Sequence, residues 1–257
     1  MYRGADGGRK ITAEEEMAAI SAISLIALDL DDTITAPRSQ IEKEISAFIE
    51  RLAEKYRVVI IGAGHYERIL AQTNSLGVDV VGNYGMQLAE YRRELGKHIL
   101  VKDEVFPVDC ADIAQRADRL FEKYELTNIK GDRVIFYPSG CFSLALLGSR
   151  ADLRDKAEFD PTRERRRAMH KYVCELFPEY TVYLGGKTSL DAVPKGYSKY
   201  TALCEYCDAH GISHDEAVFC GDDYGSHGND EPVYSSDFDF IKIDGHHTLI
   251  KRLKHLL

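Results

Sequence analysis

The chain has 257 residues, enough to bury a sizeable core as one large domain or as a core with an inserted module. A formal charge of −9 argues against the basic face that nucleic acid or an anionic membrane surface requires, so neither is expected as a partner. Six scattered cysteines, mostly inside apolar runs, read as thiols of a reducing compartment, and the Cys204–Cys207 pair lacks the second pair that a zinc site would need.

Residues 1 to 12 (MYRGADGGRKIT) read as a flexible tail. The apolar stretch from Met17 to Leu30 follows three glutamates rather than a basic segment. It ends in acids instead of a cleavage site and is too short to span a bilayer, so a cytoplasmic protein is expected. LIALDLDDTIT (25–35) then runs a strand-like segment into Asp29, Asp31 and Asp32. Ser39 and Glu42 have capping-box spacing ahead of Ile41, Ile45, Phe48, Ile49 and Leu52, which recur at helical intervals. RVVIIG (57–62) is a short β-branched run typical of a strand covered on both faces. YERILAQTNSLG reads as a second helix and VDVV (78–81) as a third strand. Strand, helix, strand, helix, strand with short joins predicts a parallel α/β sheet.

The rhythm changes after residue 86. VIFYP (134–138), FSLALLG (142–148), YTVYLG (180–185) and TSLDAV (188–193) read as strands, with a charged helical segment, DPTRERRRAMHKYVCELF, whose TRERRR run is expected to be a solvated face. From Gly196 the α/β rhythm returns with helix SKYTALCEYCDAHG, strand AVFCGDD, strand DFIKI and helix HHTLIKRLKHLL. The expected fold class is therefore α/β, a Rossmann-like parallel-sheet core (13–86 and 188–257) interrupted by an inserted α+β cap domain (87–187).

Burial and mutual repulsion both push clustered carboxylates toward protonation, so Asp29, Asp31 and Asp32 at a strand end imply a cation among them. In open parallel sheets ligands bind beyond the C-terminal strand ends, where a second acidic pair, Asp222 and Asp223, also falls. Hard oxygen ligands of this kind suit Mg2+.

These residues carry a resemblance. DLDDT, then PKGYSKYTAL with its lysine, then GDDYGSHGND match in order the motifs of the haloacid dehalogenase superfamily of phosphotransferases. GGKTSLDAVPKGYSK, the long GDDYGSHGND loop and TAPRSQIEKE are similar to the eukaryotic-type phosphomannomutase branch, while DLDDT and KGYSKYTAL match Cof-like sugar phosphatases about equally well. The resemblance implies Asp29 as a nucleophile that forms an aspartyl-phosphate, Asp31 as general acid and base, and Lys199 as a charge at the phosphoryl site. It further implies Mg2+ held by Asp29, the backbone carbonyl of Asp31 and Asp222. Thr33, Arg38, Ser189, Asp191 and Asn229 are the implied substrate or phosphate contacts, and Asp230 a metal-side group. The substrate class is a small phosphorylated metabolite, and the protein a monomer or a cap-mediated homodimer.

Two departures from the pattern matter. The second strand of the superfamily ends in Ser or Thr, whose hydroxyl holds the phosphate; here VVIIGAGH leaves Ala63 or Gly64 at that position. Backbone N–H groups of Gly62 to Gly64 are the expected replacement, with His65 a further donor or an uninvolved loop residue. In the cap, Pro138, Ser149 and Lys156 stand where the mutase branch carries phosphate-gripping arginines, with Arg150 one residue off. Losing bidentate arginines weakens the hold on a second phosphate, so the sequence favours hydrolysis of a sugar or polyol phosphate. A hexose-phosphate mutase and a weakly active phosphosugar-binding protein are the alternatives.

Overall fold

Residues 22–257 are described in a computed structural model. The expected tail at 1–12, the start of the first core segment and most of the Met17–Leu30 stretch ahead of the strand lie outside the described residues. The chain divides into two compact units. One holds the residues through Asp103 with 198–225 and 230–257; the other holds 104–197 with 226–229.

In the first unit, β1 (Leu25–Leu28) is followed by α1 (Lys43–Leu52), β2 (Arg57–Ile61), α2 (Tyr66–Gln72) and β3 (Asp79–Gly82). β4 (Gln87–Arg92) and β5 (Lys97–Asp103) then extend the same sheet in antiparallel fashion. The second unit runs α3 (Cys110–Lys123), β6 (Val134–Phe136), β7 (Phe142–Ala145), α4 (Leu153–Phe159), α5 (Glu164–Leu176), β8 (Tyr180–Gly185) and β9 (Ser189–Pro194). The chain returns to the first unit with α6 (Lys199–His210), β10 (Ala217–Gly221), α7 (Glu231–Tyr234), β11 (Asp239–Lys242) and α8 (Leu249–Leu253).

The larger sheet has the order β11-β10-β1-β2-β3-β4-β5, parallel from β11 through β3. β1 is central and fully buried, and its residues alternate between two cores. Ile26 and Leu28 pack with Ile45, Phe48 and Ile49 of α1 and with Leu249 and Leu253 of α8. Leu25 and Ala27 pack on the opposite face with Leu203 and Tyr206 of α6. An apolar run covered on both sides is what a central parallel strand demands. The chain leaves β1 toward β2 on one side, while β10 pairs on the other, so the strand order reverses at β1.

The smaller sheet, β6-β7-β9-β8, is wholly antiparallel and carries α3 and α5 on one core of Leu120, Phe142, Met169, Val173, Phe177 and Leu190.

Three expectations change. The units divide at 103/104 and 197/198 rather than at 86/87 and 187/188. β4 and β5 pair onto β3, and β9 pairs between β7 and β8, so the sheets and not the change of rhythm set the boundaries. Ser39 and Glu42 form no capping box: α1 starts at Lys43, and its N-cap Glu42 makes no side-chain cap bond. The TRERRR run is not a solvated face throughout, because Arg166 is only 1% exposed. Its Nε donates to Asp160 Oδ2 at 2.8 Å, and one terminal nitrogen donates to the Gly185 and Gly186 carbonyls at 2.8 and 2.9 Å. All six cysteines are thiols.

Candidate active site

The strand order reverses at β1, and parallel α/β sheets bind ligands beyond the C-terminal strand ends at such a point. Asp29 follows β1 there and is 5% exposed, with its N–H donating to the Cys220 carbonyl of β10 at 2.9 Å. Asp222 follows β10. A tight turn completes the first loop: the Ile34 and Thr35 N–H groups return to the Leu30 carbonyl, and Asp32 takes a left-handed φ of 63° that a short polar side chain tolerates.

Lys199 enters from the first turn of α6, behind a capping box in which Ser198 and Thr201 bond reciprocally. It is fully buried, and its ammonium donates to Asp29 and, at 2.7 Å, to Asp230. Oxygens of Asp29, Asp222 and Asp230 lie within 4.8 Å of one another. Asp230 is itself fixed, accepting from the Asp223 N–H at 3.0 Å.

The charges do not cancel. Burial raises the pKa of Asp29 well above the carboxylate range; Lys199 pulls it down, and Asp230 and Asp222 push it up again. Burial and Asp230 push Asp222 to about 6. Burial opposes the charge on Lys199, yet Asp230 and Asp29 outweigh it and hold the ammonium ionised above the usual lysine range. One lysine among three close carboxylates leaves an excess of negative charge, the condition under which a hard divalent cation binds.

Asp31 has different company. Its Oδ2 accepts from both terminal nitrogens of Arg68 at 3.1 and 3.2 Å, while Oδ1 accepts from the Arg38 N–H at 2.9 Å and Gln72 at 3.1 Å. Burial works to raise its pKa, but Arg68, the Arg38 N–H and Gln72 prevail and keep it below the usual range. Arg68 and Gln72 hold the Asp31 side chain, so the clustered carboxylates are Asp29, Asp222 and Asp230, while the expected Asp31 ligand is its backbone carbonyl, which these side-chain contacts leave untouched.

Other expected residues fall in varied places. Thr33 is buried and donates to Asp222 Oδ1 at 3.1 Å, so it orients that carboxylate. Arg38 is exposed, with a left-handed φ of 57°, and reaches Asp31 through its backbone. The Gly62 N–H is already committed to the Val81 carbonyl at 2.9 Å, which removes it from the expected phosphate cradle. Among the described residues, nothing accepts from the N–H groups of Ala63 or Gly64. His65 caps α2 by accepting from the Glu67 N–H, and its other ring nitrogen meets Gln87 at 3.0 Å.

Ser189, Asp191 and Asn229 belong to the second unit. Ser189 donates to the Gly185 carbonyl at 2.9 Å, and Asp191 accepts from Ser143 at 2.7 Å, which itself meets the Tyr137 hydroxyl at 3.1 Å. Arg68 and Gln72 join the site unexpectedly: their i, i+4 spacing on one helix signals the pair itself, in which Arg68 donates to Gln72 at 2.8 Å, and not its meeting with Asp31.

A family model described as eukaryotic phosphomannomutase matches residues 45–248. Phosphomannomutase 1 of Mus musculus is 25% identical over 227 residues, 82% of this chain and 83% of that protein. A phosphomannomutase of Triticum aestivum is 25% identical over 225 residues, 83% of this chain and 86% of its own. Among solved structures, an IMP-bound Plasmodium falciparum IMP-nucleotidase gives a TM-score of 0.68 at 14% identity, over 93% of this chain and 70% of that one. A phosphatase of the haloalkanoate (HAD) superfamily from Bacteroides thetaiotaomicron gives 0.58 at 16% identity, over 91% and 95%. At such identities the structural matches speak for the fold alone. No helix among the described residues is long and apolar enough to cross a membrane.

Proposed function

The chain belongs to the eukaryotic phosphomannomutase family, and from that premise we propose that it is a phosphosugar mutase acting in the cytoplasm through an aspartyl-phosphate on Asp29. The observation that carries the reading is Asp29 itself, a buried carboxylate at the strand-order reversal with the Lys199 ammonium on its oxygen. The ordering of alternatives drawn from the cap arginines therefore changes: relatives matched over most of their length are named mutases, so isomerisation comes ahead of hydrolysis.

The donor set of Asp29, Asp222 and Asp230 fits Mg2+, since its close, buried oxygens outnumber their lysine. Those residues would hold the ion, which when bound neutralises the carboxylates and the transferring phosphoryl oxygens. From the aspartyl-phosphate, the ionised Asp31 takes the proton of a hexose monophosphate hydroxyl as that oxygen attacks the phosphorus and the Asp29–phosphorus bond breaks, giving a hexose bisphosphate. Asp29 then attacks the other phosphorus of the bisphosphate, and the sugar oxygen leaves with the proton held on Asp31. Lys199 keeps Asp29 oriented and its charge compensated throughout.

Hydrolysis is the second reading, favoured by one observation: Ser149, at a position where the mutase branch carries arginine, is spent on Asp132, bonding its N–H and carboxylate at 2.9 Å. The test is mannose-1-phosphate or glucose-1-phosphate with a hexose bisphosphate primer and Mg2+, for the wild type and Asp29→Asn. Appearance of the 6-phosphate that vanishes in the variant, a loss on the order of 10⁴-fold or more, supports the mutase. Free sugar and inorganic phosphate would replace it with the phosphatase, and turnover unaffected by Asp29→Asn would remove both.

A further inference from the structure

The loop after β2 lacks the hydroxyl that the superfamily pattern places there, yet its space is filled. A Cβ built on Gly64 would lie 2.3 Å from Nε, 2.4 Å from one terminal nitrogen and 2.6 Å from Cζ of Arg68. The guanidinium therefore occupies the volume that a serine or threonine side chain at position 64 would take. A glycine at 64 and an arginine four residues on, in the first turn of α2, form one arrangement: the first vacates what the second fills.

The guanidinium is held from behind and not buried. Asp31 accepts from both terminal nitrogens, Gln72 accepts at 2.8 Å, and the side chain remains 37% exposed. It lies over the loop whose Ala63 and Gly64 N–H groups have no acceptor among the described residues. Lys199 is already committed to Asp29 and Asp230, and a dianionic phosphoryl group entering beside four aspartates needs further positive charge. An arginine fork matches two phosphate oxygens at once, where a hydroxyl donates a single bond.

We propose that Arg68 is a phosphate-binding residue of this site, taking the place of the missing hydroxyl and gripping the transferring phosphoryl group together with the Ala63 and Gly64 amides. The inference rests on the phosphoryl-transfer reading above, and the probe is chosen to separate the two.

The probe is orthovanadate, titrated in the presence of Mg2+ into the wild type, Arg68→Ala, Arg68→Lys, Asp31→Asn and the double variant Arg68→Ala/Gly64→Ser. Loss of a charge-assisted fork is expected to weaken vanadate binding by about 10- to 100-fold in Arg68→Ala. Arg68→Lys retains part of the affinity, and the double variant, which vacates the space and returns a hydroxyl to it, regains part of the loss. Asp31→Asn, which keeps Arg68 and takes the negative charge from beside both the guanidinium and the incoming oxyanion, is expected to cost less than Arg68→Ala. Thermal unfolding of each variant verifies that it is folded; if Arg68→Ala is not, Arg68→Lys against Asp31→Asn makes the same comparison. Wild-type affinity in Arg68→Ala, or an equal loss in Asp31→Asn, overturns the role of Arg68 while leaving phosphoryl transfer standing. A wild type that takes no vanadate overturns both.

Discussion

Lys199 compensates more charge than any other residue described in the acidic cluster. It is fully buried, with Asp29 on one side and Asp230 on the other. Replacing it by methionine keeps most of the volume but strands carboxylates that water cannot reach, a loss of about 3–5 kcal/mol. Denaturant unfolding at neutral pH without metal checks this; a loss below about 1 kcal/mol would mean that the cluster relaxes without its lysine. Asp222 makes a second prediction, in pH. Its pKa of about 6 lies above the unfolded value, so without metal the folded state holds the extra proton and stability falls as pH rises through that window. Mg2+ competes with that proton. Its apparent affinity is expected to weaken as pH falls through about 6, by roughly tenfold per pH unit for each proton displaced, with Asp29, whose pKa burial also raises, adding to the loss. Calorimetric titrations on either side of that value decide the matter, since an affinity flat across them would exclude Asp222 as a ligand. Asp29, Asp222 and Lys199 were legible in sequence because each stands at the end or start of an element in a fixed motif. Arg68 was not, because only the fold brings its guanidinium over Gly64 and onto Asp31.

At the scale of elements, apolar runs covered on both faces are legible as strands, as RVVIIG is for β2, and YTVYLG at the edge of the smaller sheet also matches β8 residue for residue. The amphipathic pair β4 and β5 was not assigned, since partly exposed antiparallel strands lack a continuous apolar run. Charge also misled: TRERRR looks solvated, yet Arg166 sits one turn into α5 and ties that helix to the β8–β9 turn. Burial works to raise the pKa of Asp160, but Arg166 and the Arg165 and Arg166 N–H groups prevail and hold it ionised below the usual range. Arg166→Met leaves that carboxylate and the Gly185 and Gly186 carbonyls without the guanidinium. The expected cost is about 3–5 kcal/mol, and Arg166→Lys recovers little because an ammonium cannot span three acceptors in one plane. Guanidinium-chloride unfolding reads the loss, and full recovery by lysine would show that charge alone suffices.

At the scale of the whole molecule, the parallel core and the antiparallel insert were both legible from the change in rhythm, whereas their borders were not. A border is set by which strand accepts the next hydrogen-bonded neighbour, and β4 and β9 take partners that local pattern does not name. The resulting division has a measurable consequence. The clustered carboxylates come from three separate stretches of chain, yet Asp29, Lys199, Asp222 and Asp230 all belong to the first unit. Mg2+ that binds the folded cluster and not the unfolded chain stabilises the ensemble by RT ln(1 + [L]/Kd), about 2.7 kcal/mol at a hundredfold excess over Kd. The gain falls on openings that break the cluster, because local openings elsewhere leave the ion in place. Hydrogen exchange with and without Mg2+ should therefore slow in residues 25–35, 198–210 and 217–231, with little change in α3 and α5. Equal slowing in both units would mean that the two open together, and slowing confined to α3 and α5 would put the ion somewhere other than the carboxylates after β1 and β10.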